Sequence, residues 1–201
     1  MANLNIPATR DRTLDAFKGK MIGGGTRSNL FEVELTTLPS SVTLPWQAER
    51  FSFLCKAAQM PAMTIANIDV PFRGRIFKVA GDRTIENWSI TVINDEDFLF
   101  RNAFEEWTQQ IAALDDNMGS TNPASYMVNA KVYQLGRGST QASTTNAGDA
   151  NVVLKEYEFI DIFPISVGAI DLSYDSGDTI EDYTVEFAVQ SYNVTGAGTA
   201  G

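Results

Sequence analysis

Residues 79–97, Val79-Ala80-Gly81-Asp82-Arg83-Thr84-Ile85-Glu86-Asn87-Trp88-Ser89-Ile90-Thr91-Val92-Ile93-Asn94-Asp95-Glu96-Asp97, set a turn, a strand and a helix start in direct succession. Trp88, Ile90 and Val92 alternate with Asn87, Ser89 and Thr91. An extended strand here carries large apolar groups on one face and small uncharged polar groups on the other. The apolar face needs a cover. Phe100, Phe104, Trp107, Ile111 and Leu114 follow at helical spacing, with Ala103 and Ala112 beside them, which predicts a helix whose apolar stripe lies on that strand. Asn94 or Asp95 is placed to cap the helix by accepting a bond from an orphan N–H. Asp95, Glu96 and Asp97 stand where the macrodipole favours negative charge.

Outward toward the N-terminus, Ile76 to Val79 and the run Ile68, Val70, Phe72 predict a strand pair with Arg73-Gly74-Arg75 at its tip, where glycine can take positive φ. Pro61 ends an earlier strand, expected to carry Phe51, Phe53, Cys55 and Ala57 on one face. Before it, Phe31, Val33 and Leu35 alternate with Glu32, Glu34 and Thr36. Residues 1–28 mix charge with glycine and read as an arm ordered only by partners, although Leu14, Phe17 and Met21 could share a short helix face.

Toward the C-terminus, a strand is expected from Tyr126 to Leu135. The small-residue segment 136–150 then reads as a surface insertion. Val152 to Ile162 predicts a strand covered on both sides and broken by Pro164. Ile170, Leu172 and Tyr174 suggest a short strand. Tyr183, Val185, Phe187 and Val189 make the cleanest alternation in the chain, and residues 193–201 read as a flexible tail. Many short strands and one good helix indicate a mainly β fold of sandwich or barrel type, occupying 29–192, with the helix packed on its side.

The chain has 201 residues, 44% of them apolar, enough for one domain with a real core. Histidine is absent, which removes the usual general base and the commonest metal ligand, and the one cysteine excludes an intrachain disulfide. No apolar run reaches a membrane span and no signal peptide is evident, so synthesis in the cytosol is expected. Charge is distributed unevenly. Nine acidic residues lie at or after Glu156 and no Lys or Arg follows Lys155, so the last quarter carries −9 of the net −10, while residues 1–28 carry +3. A solvated acidic face and complementary patches between copies are the two readings. Tight general binding of nucleic acid is disfavoured.

Catalytic and metal motifs fail on spacing. Gly19-Lys20 lacks the remainder of a phosphate loop, and Asp171 to Asp182 differs from a calcium loop in its glycine position and its twelfth residue. No cofactor, metal or catalytic residue is expected.

Asn29-Leu30-Phe31 with Val33, Phe51, Phe53, Cys55-Lys56-Ala57, Pro61, Val79 to Thr84, Trp88, Thr91-Val92, Asn94-Asp95-Glu96, Trp107, Pro164, Val167-Gly168, Leu172 and Asp175, in this order and spacing, resemble the tail tube proteins of contractile-tailed, T-even-type bacteriophages. The resemblance implies a structural, non-enzymatic subunit of the virion tail. It implies hexameric rings sharing a continuous β-barrel, stacked head-to-tail into a DNA conduit, with sheath and baseplate proteins as partners. Under it, Arg73, Arg75, Lys78 and Arg83 are expected to meet Asp175, Asp178, Glu181 and Asp182 of the next ring. Glu156, Glu158 and Glu186 are the candidates to face the lumen, where carboxylates would repel phosphate. Two rivals stand beside this: the ring protein of a bacterial contractile secretion system, and a monomeric sugar-binding sandwich.

Overall fold

The computed structural model describes residues 13–21, 25–116, 118–136, 152–175 and 177–196. The elements are α1 (Leu14–Lys20), β1 (Phe31–Glu34), α2 (Ala48–Leu54), β2 (Cys55–Ala58), β3 (Met63–Phe72), β4 (Arg75–Ile85), β5 (Trp88–Ile93), α3 (Leu99–Ile111), β6 (Val128–Leu135), β7 (Val153–Val167), β8 (Asp182–Ala188) and β9 (Ser191–Gly196). All strand pairing is antiparallel. β1, β6, the first half of β7 and β9 form one sheet; the second half of β7, β8, β5 and β2 form another. β7 belongs to both sheets. It crosses between them near Asp161, a non-glycine residue at φ 55° whose N–H is taken by the Asn129 side chain at 3.1 Å.

Alternation sets the core. Val33, Val132 and Phe159 point inward from the first sheet, and Trp88, Ile90, Val92, Tyr183, Val185 and Phe187 from the second. Trp88 stacks on Phe159 at 4.5 Å and joins the two layers. α3 presents Phe104 and Trp107 to Phe187 at 5.9 and 6.0 Å. Each tryptophan N–H is satisfied by a carbonyl: Trp46 at Leu35, Trp88 at Gln59 and Trp107 at Tyr126. Such payloads with satisfied polar tips are what buried tryptophans require.

Several elements differ from the sequence expectation. Residues 48–54 form a helix rather than a strand. Phe51 packs in the cluster of Trp46, Phe100 and Phe104, Cys55 is buried one helical turn later, and Phe53 points to solvent. α3 ends at Ile111, so Leu114 is exposed; its N-cap is Phe98 at φ 50°, without a side-chain cap bond. Asp95 and Asp97 hold Arg50, the latter at 2.7 Å, and the other Asp97 oxygen accepts the Leu99 N–H at the start of α3 at 3.1 Å. β7 continues through Pro164, because its pairing with β6 stops at Ile162 and a register shift follows the proline, so no ladder bond is demanded there. Residues 170–174 form no strand. β9 carries pairing on to Gly196. The expected insertion 136–150 and the end of the tail lie outside the described residues, apart from Gly136 and residues 193–196.

β2–β5 and β3–β4 share one register. Ala58 faces Ile90 and Met63 faces Ile85, and between them the Gln59 N–H bonds Ser89 O and the Glu86 N–H bonds Ala62 O, each at 3.2 Å. The two pairs are one long ribbon. Its inner half lies in the second sheet and its outer half projects as the β3–β4 hairpin.

Candidate self-assembly surfaces

Among the described residues, the hairpin has no buried side chain. Every residue of β3 is exposed, and in β4 only Gly81 and Ile85 are partly covered. Cross-strand partners share a face. Ile68 opposite Val79 and Val70 opposite Phe77 therefore make one apolar face whose members are 41% to 67% exposed, continued at the tip by Phe72 opposite Arg75. An isolated two-stranded hairpin is marginal in water, and an exposed apolar sheet face with two open edges invites another chain. At the tip, Arg73 and Gly74 adopt φ 46° and 81°, the type I′ pattern, so the turn sends Arg73 and Arg75 out beside Phe72 and Ile76. Among the described residues, Arg73, Arg75, Lys78 and Arg83 form no ion pair with a carboxylate.

The acidic candidates sit at the other end of the second sheet. The hairpin leaves that sheet where Trp88 faces Phe187, whereas the loop 168–181 joins β7 to β8 where Ile93 faces Asp182. The loop is fixed at its two feet. Arg101 donates to Gly168 O at 2.5 Å, and Asn94 holds Glu181 through both its backbone and its amide side chain, at 2.9 and 3.0 Å. Between its limbs lies a groove of about 790 Å³, lined by Ile170, Leu172, Tyr174 and Ile180 with Asp171 and Glu181 among them. Leu172, Tyr174 and Ile180 are largely exposed. Asp182 is paired with Lys56. Of the four expected inter-ring carboxylates, Glu181 and Asp182 thus have partners within the chain, and Asp175 and Asp178 have no ion pair among the described residues.

The three lumen candidates separate onto different sheets. Glu156 and Glu158 alternate with Tyr157 and Phe159 on the outer face of the first sheet, beside Glu32, Glu34 and Lys131; Lys131 bonds Glu156 at 2.9 Å, and Tyr133 donates to Glu34 at 2.7 Å. Burial, and after it the neighbouring Glu34, raises the Tyr133 hydroxyl above its ordinary pKa. Glu186 lies on the outer face of the second sheet among Ser89, Thr91, Thr184 and Ser166, and accepts a bond from Asn87 at 2.9 Å. Sequence alternation located each carboxylate on a polar face but carried no information on which sheet that face belongs to.

A chain with open strand edges, an unsupported apolar hairpin and opposite charge at its two ends is built to meet copies of itself. The family model described as phage tail tube protein matches residues 26–195. The chain belongs to the phage tail tube protein family. The tail tube protein gp19 of Enterobacteria phage T4 is 34% identical over 167 residues, covering 83% of this chain and 90% of gp19. The tail tube protein of Serratia phage KSP90 is 27% identical over 177 residues, covering 87% and 92%. Among solved structures, a chain of the anti-feeding prophage baseplate superposes with a TM-score of 0.60 at 11% identity, covering 87% of this tail tube protein and 98% of that chain. A chain of the sheath–tube complex of an extracellular contractile injection system, in its extended state, gives 0.50 at 11%, covering 90% and 97%. These two likenesses bear on the fold.

Proposed function

We propose that this tail tube subunit assembles into rings of six, that the rings stack head-to-tail into the inner tube of a contractile tail, and that the tube conducts DNA without binding it. One observation carries the reading: among the described residues the second sheet ends in unpaired edges, at β2 and along β7 beyond Ile162, and runs on into a hairpin with no further partner strand. Closing that sheet around a ring converts the edges into hydrogen bonds between copies. Stacking is a heterologous contact that does not close, so it yields a filament.

The outer face of the second sheet is the channel wall in this reading, since it is the sheet that the exposed hairpin extends toward other copies. Its small hydroxyl-bearing side chains and Glu186 offer phosphate no aromatic platform, and Lys56 beside them is paired with Asp182, so counterions stay on the DNA. Glu156 and Glu158 then face outward, toward sheath and solvent. Arg73, Arg75, Lys78 and Arg83 meet Asp175 and Asp178 of the next ring, with Glu181 and Asp182 as part of the same acidic end. The particle tail is the site of action, and no catalytic role is assigned.

The test is assembly. Reversing charge at Arg73 and Arg75 to Glu is expected to leave a folded subunit, with an unchanged melting transition, that no longer extends tubes in negative-stain images. Normal tube growth by that variant contradicts the charge pairing.

A further inference from the structure

The arm lies mostly outside the family match, which starts at residue 26, yet it encodes a helix. Thr13 Oγ accepts the Ala16 N–H at 3.3 Å, Asp15 stands in the first turn, and Lys18 and Lys20 in the last. Seven residues are too few to hold a helix in water without tertiary support. Leu14, Phe17 and Met21 fall on one side, flanked by Lys18 and Lys20, and are 66%, 59% and 48% exposed. An apolar stripe with a basic margin therefore lacks its counterpart.

That counterpart is present beside the second sheet. The groove between residues 168–174 and 179–184 is apolar at Leu172, Tyr174 and Ile180 and acidic around them. We propose that α1 of one subunit seats Leu14, Phe17 and Met21 in this groove of a second copy in the adjacent ring, with Lys18 and Lys20 facing its carboxylates. This rests on the stacked-ring reading. The helix is tethered at the first sheet, whereas the groove belongs to the second. Arg27 O is held by the Gln134 amide at 2.9 Å, and Gln134 faces Lys155 near the start of β7, whereas the groove opens after Val167 at the end of that strand. The six residues from Met21 to Arg27 span at most about 20 Å. Twelve strand residues from Lys155 to Val167 trace about 40 Å of bent path. A copy stacked end-on brings its groove to the arm. The basic hairpin approaches the same acidic end at Asp175 and Asp178, outside the groove lining, so the two contacts reinforce one another.

Paired cysteines, Phe17→Cys with Leu172→Cys, test the contact in tubes of the full chain, with Cys55 buried and out of competition. Mild oxidation is expected to give a covalent ladder of dimers, trimers and longer chains, because each subunit offers its arm to one neighbour and its groove to another. Intact tubes that yield only monomers, or only an intrachain link, overturn the proposal while leaving the tube reading standing. Absence of tubes from the wild-type chain would remove both. A second variant guards against cysteines that block assembly: Leu14→Ala with Phe17→Ala is expected to leave the melting transition unchanged and raise the concentration needed for tube formation at least tenfold. An unchanged threshold contradicts the docking.

Discussion

Tyr183 is buried at 2% exposure, and its hydroxyl has no hydrogen-bond partner among the described residues, while the Arg101 guanidinium lies 5.1 Å from its ring. Burial pushes its ionisation upward, with the Arg101 charge opposing. A buried hydroxyl without a partner costs stability, so Tyr183→Phe is expected to raise the unfolding free energy by about 1 kcal/mol in a urea titration. Glu106 shows the reverse case. Its carboxylate accepts the Thr43 hydroxyl at 2.7 Å, the Thr43 N–H at 3.0 Å and the Leu44 N–H at 3.4 Å, which hold it below its ordinary value of 4.5. Asp97 is likewise held below 3.8, by the Leu99 N–H first and then by Arg50. A carboxylate depressed in the folded state gives stability that is complete above the unfolded pKa and disappears as pH falls through the folded one. The urea midpoint is therefore expected to hold from pH 7 to about 5 and to fall below about 4.5. Glu106→Gln should flatten that decline. Cys55, pushed up to about 12 by burial, is expected to resist thiol reagents until the chain unfolds.

At the scale of elements, the outer half of the ribbon is the part of the fold that depends on neighbours. In the unassembled subunit, the backbone N–H groups of β3 and β4 are expected to exchange hydrogen much faster than those of β5 and β8, and to become protected on assembly. Equal protection of both halves in the free subunit would contradict this. The sequence was informative here in proportion to how strictly burial follows period 2. β5, β8 and the Arg73-Gly74 tip of the hairpin were legible because alternation is unbroken there, whereas the turn expected just before Trp88 is instead the inner part of β4, which runs to Ile85 and pairs with β3 across a register shift between Ile65 and Asn67. α2 was not, because Phe51, Phe53 and Cys55 also satisfy strand spacing, and only the packing of Phe51 on Trp46 and Phe100 selects the helix. Pro164 misled for a related reason: a proline ends a strand only where its missing N–H is needed. β9 was hidden in a polar stretch whose pairing is supplied by β7. Basic and acidic clusters were visible as composition. The groove that joins Leu172, Tyr174 and Ile180 needed the folded loop, and the split of Glu186 from Glu156 and Glu158 needed the sheet order.

At the scale of the whole molecule, charge and apolar exposure follow the same axis. The arm and hairpin are basic and apolar, and the opposite loop is acidic and apolar. On the proposed stacking these ends meet, so raising salt during assembly should weaken growth without touching the fold. The channel reading is the central claim, since pairing between copies would close the open edges of the second sheet. A cryo-electron map of the tube in the particle tests it most directly. The account predicts six copies per ring, with β-pairing passing without a break from copy to copy and Glu186 directed into the bore. A tube of self-contained subunits with sealed edges, or a bore lined by Glu156 and Glu158, would contradict it.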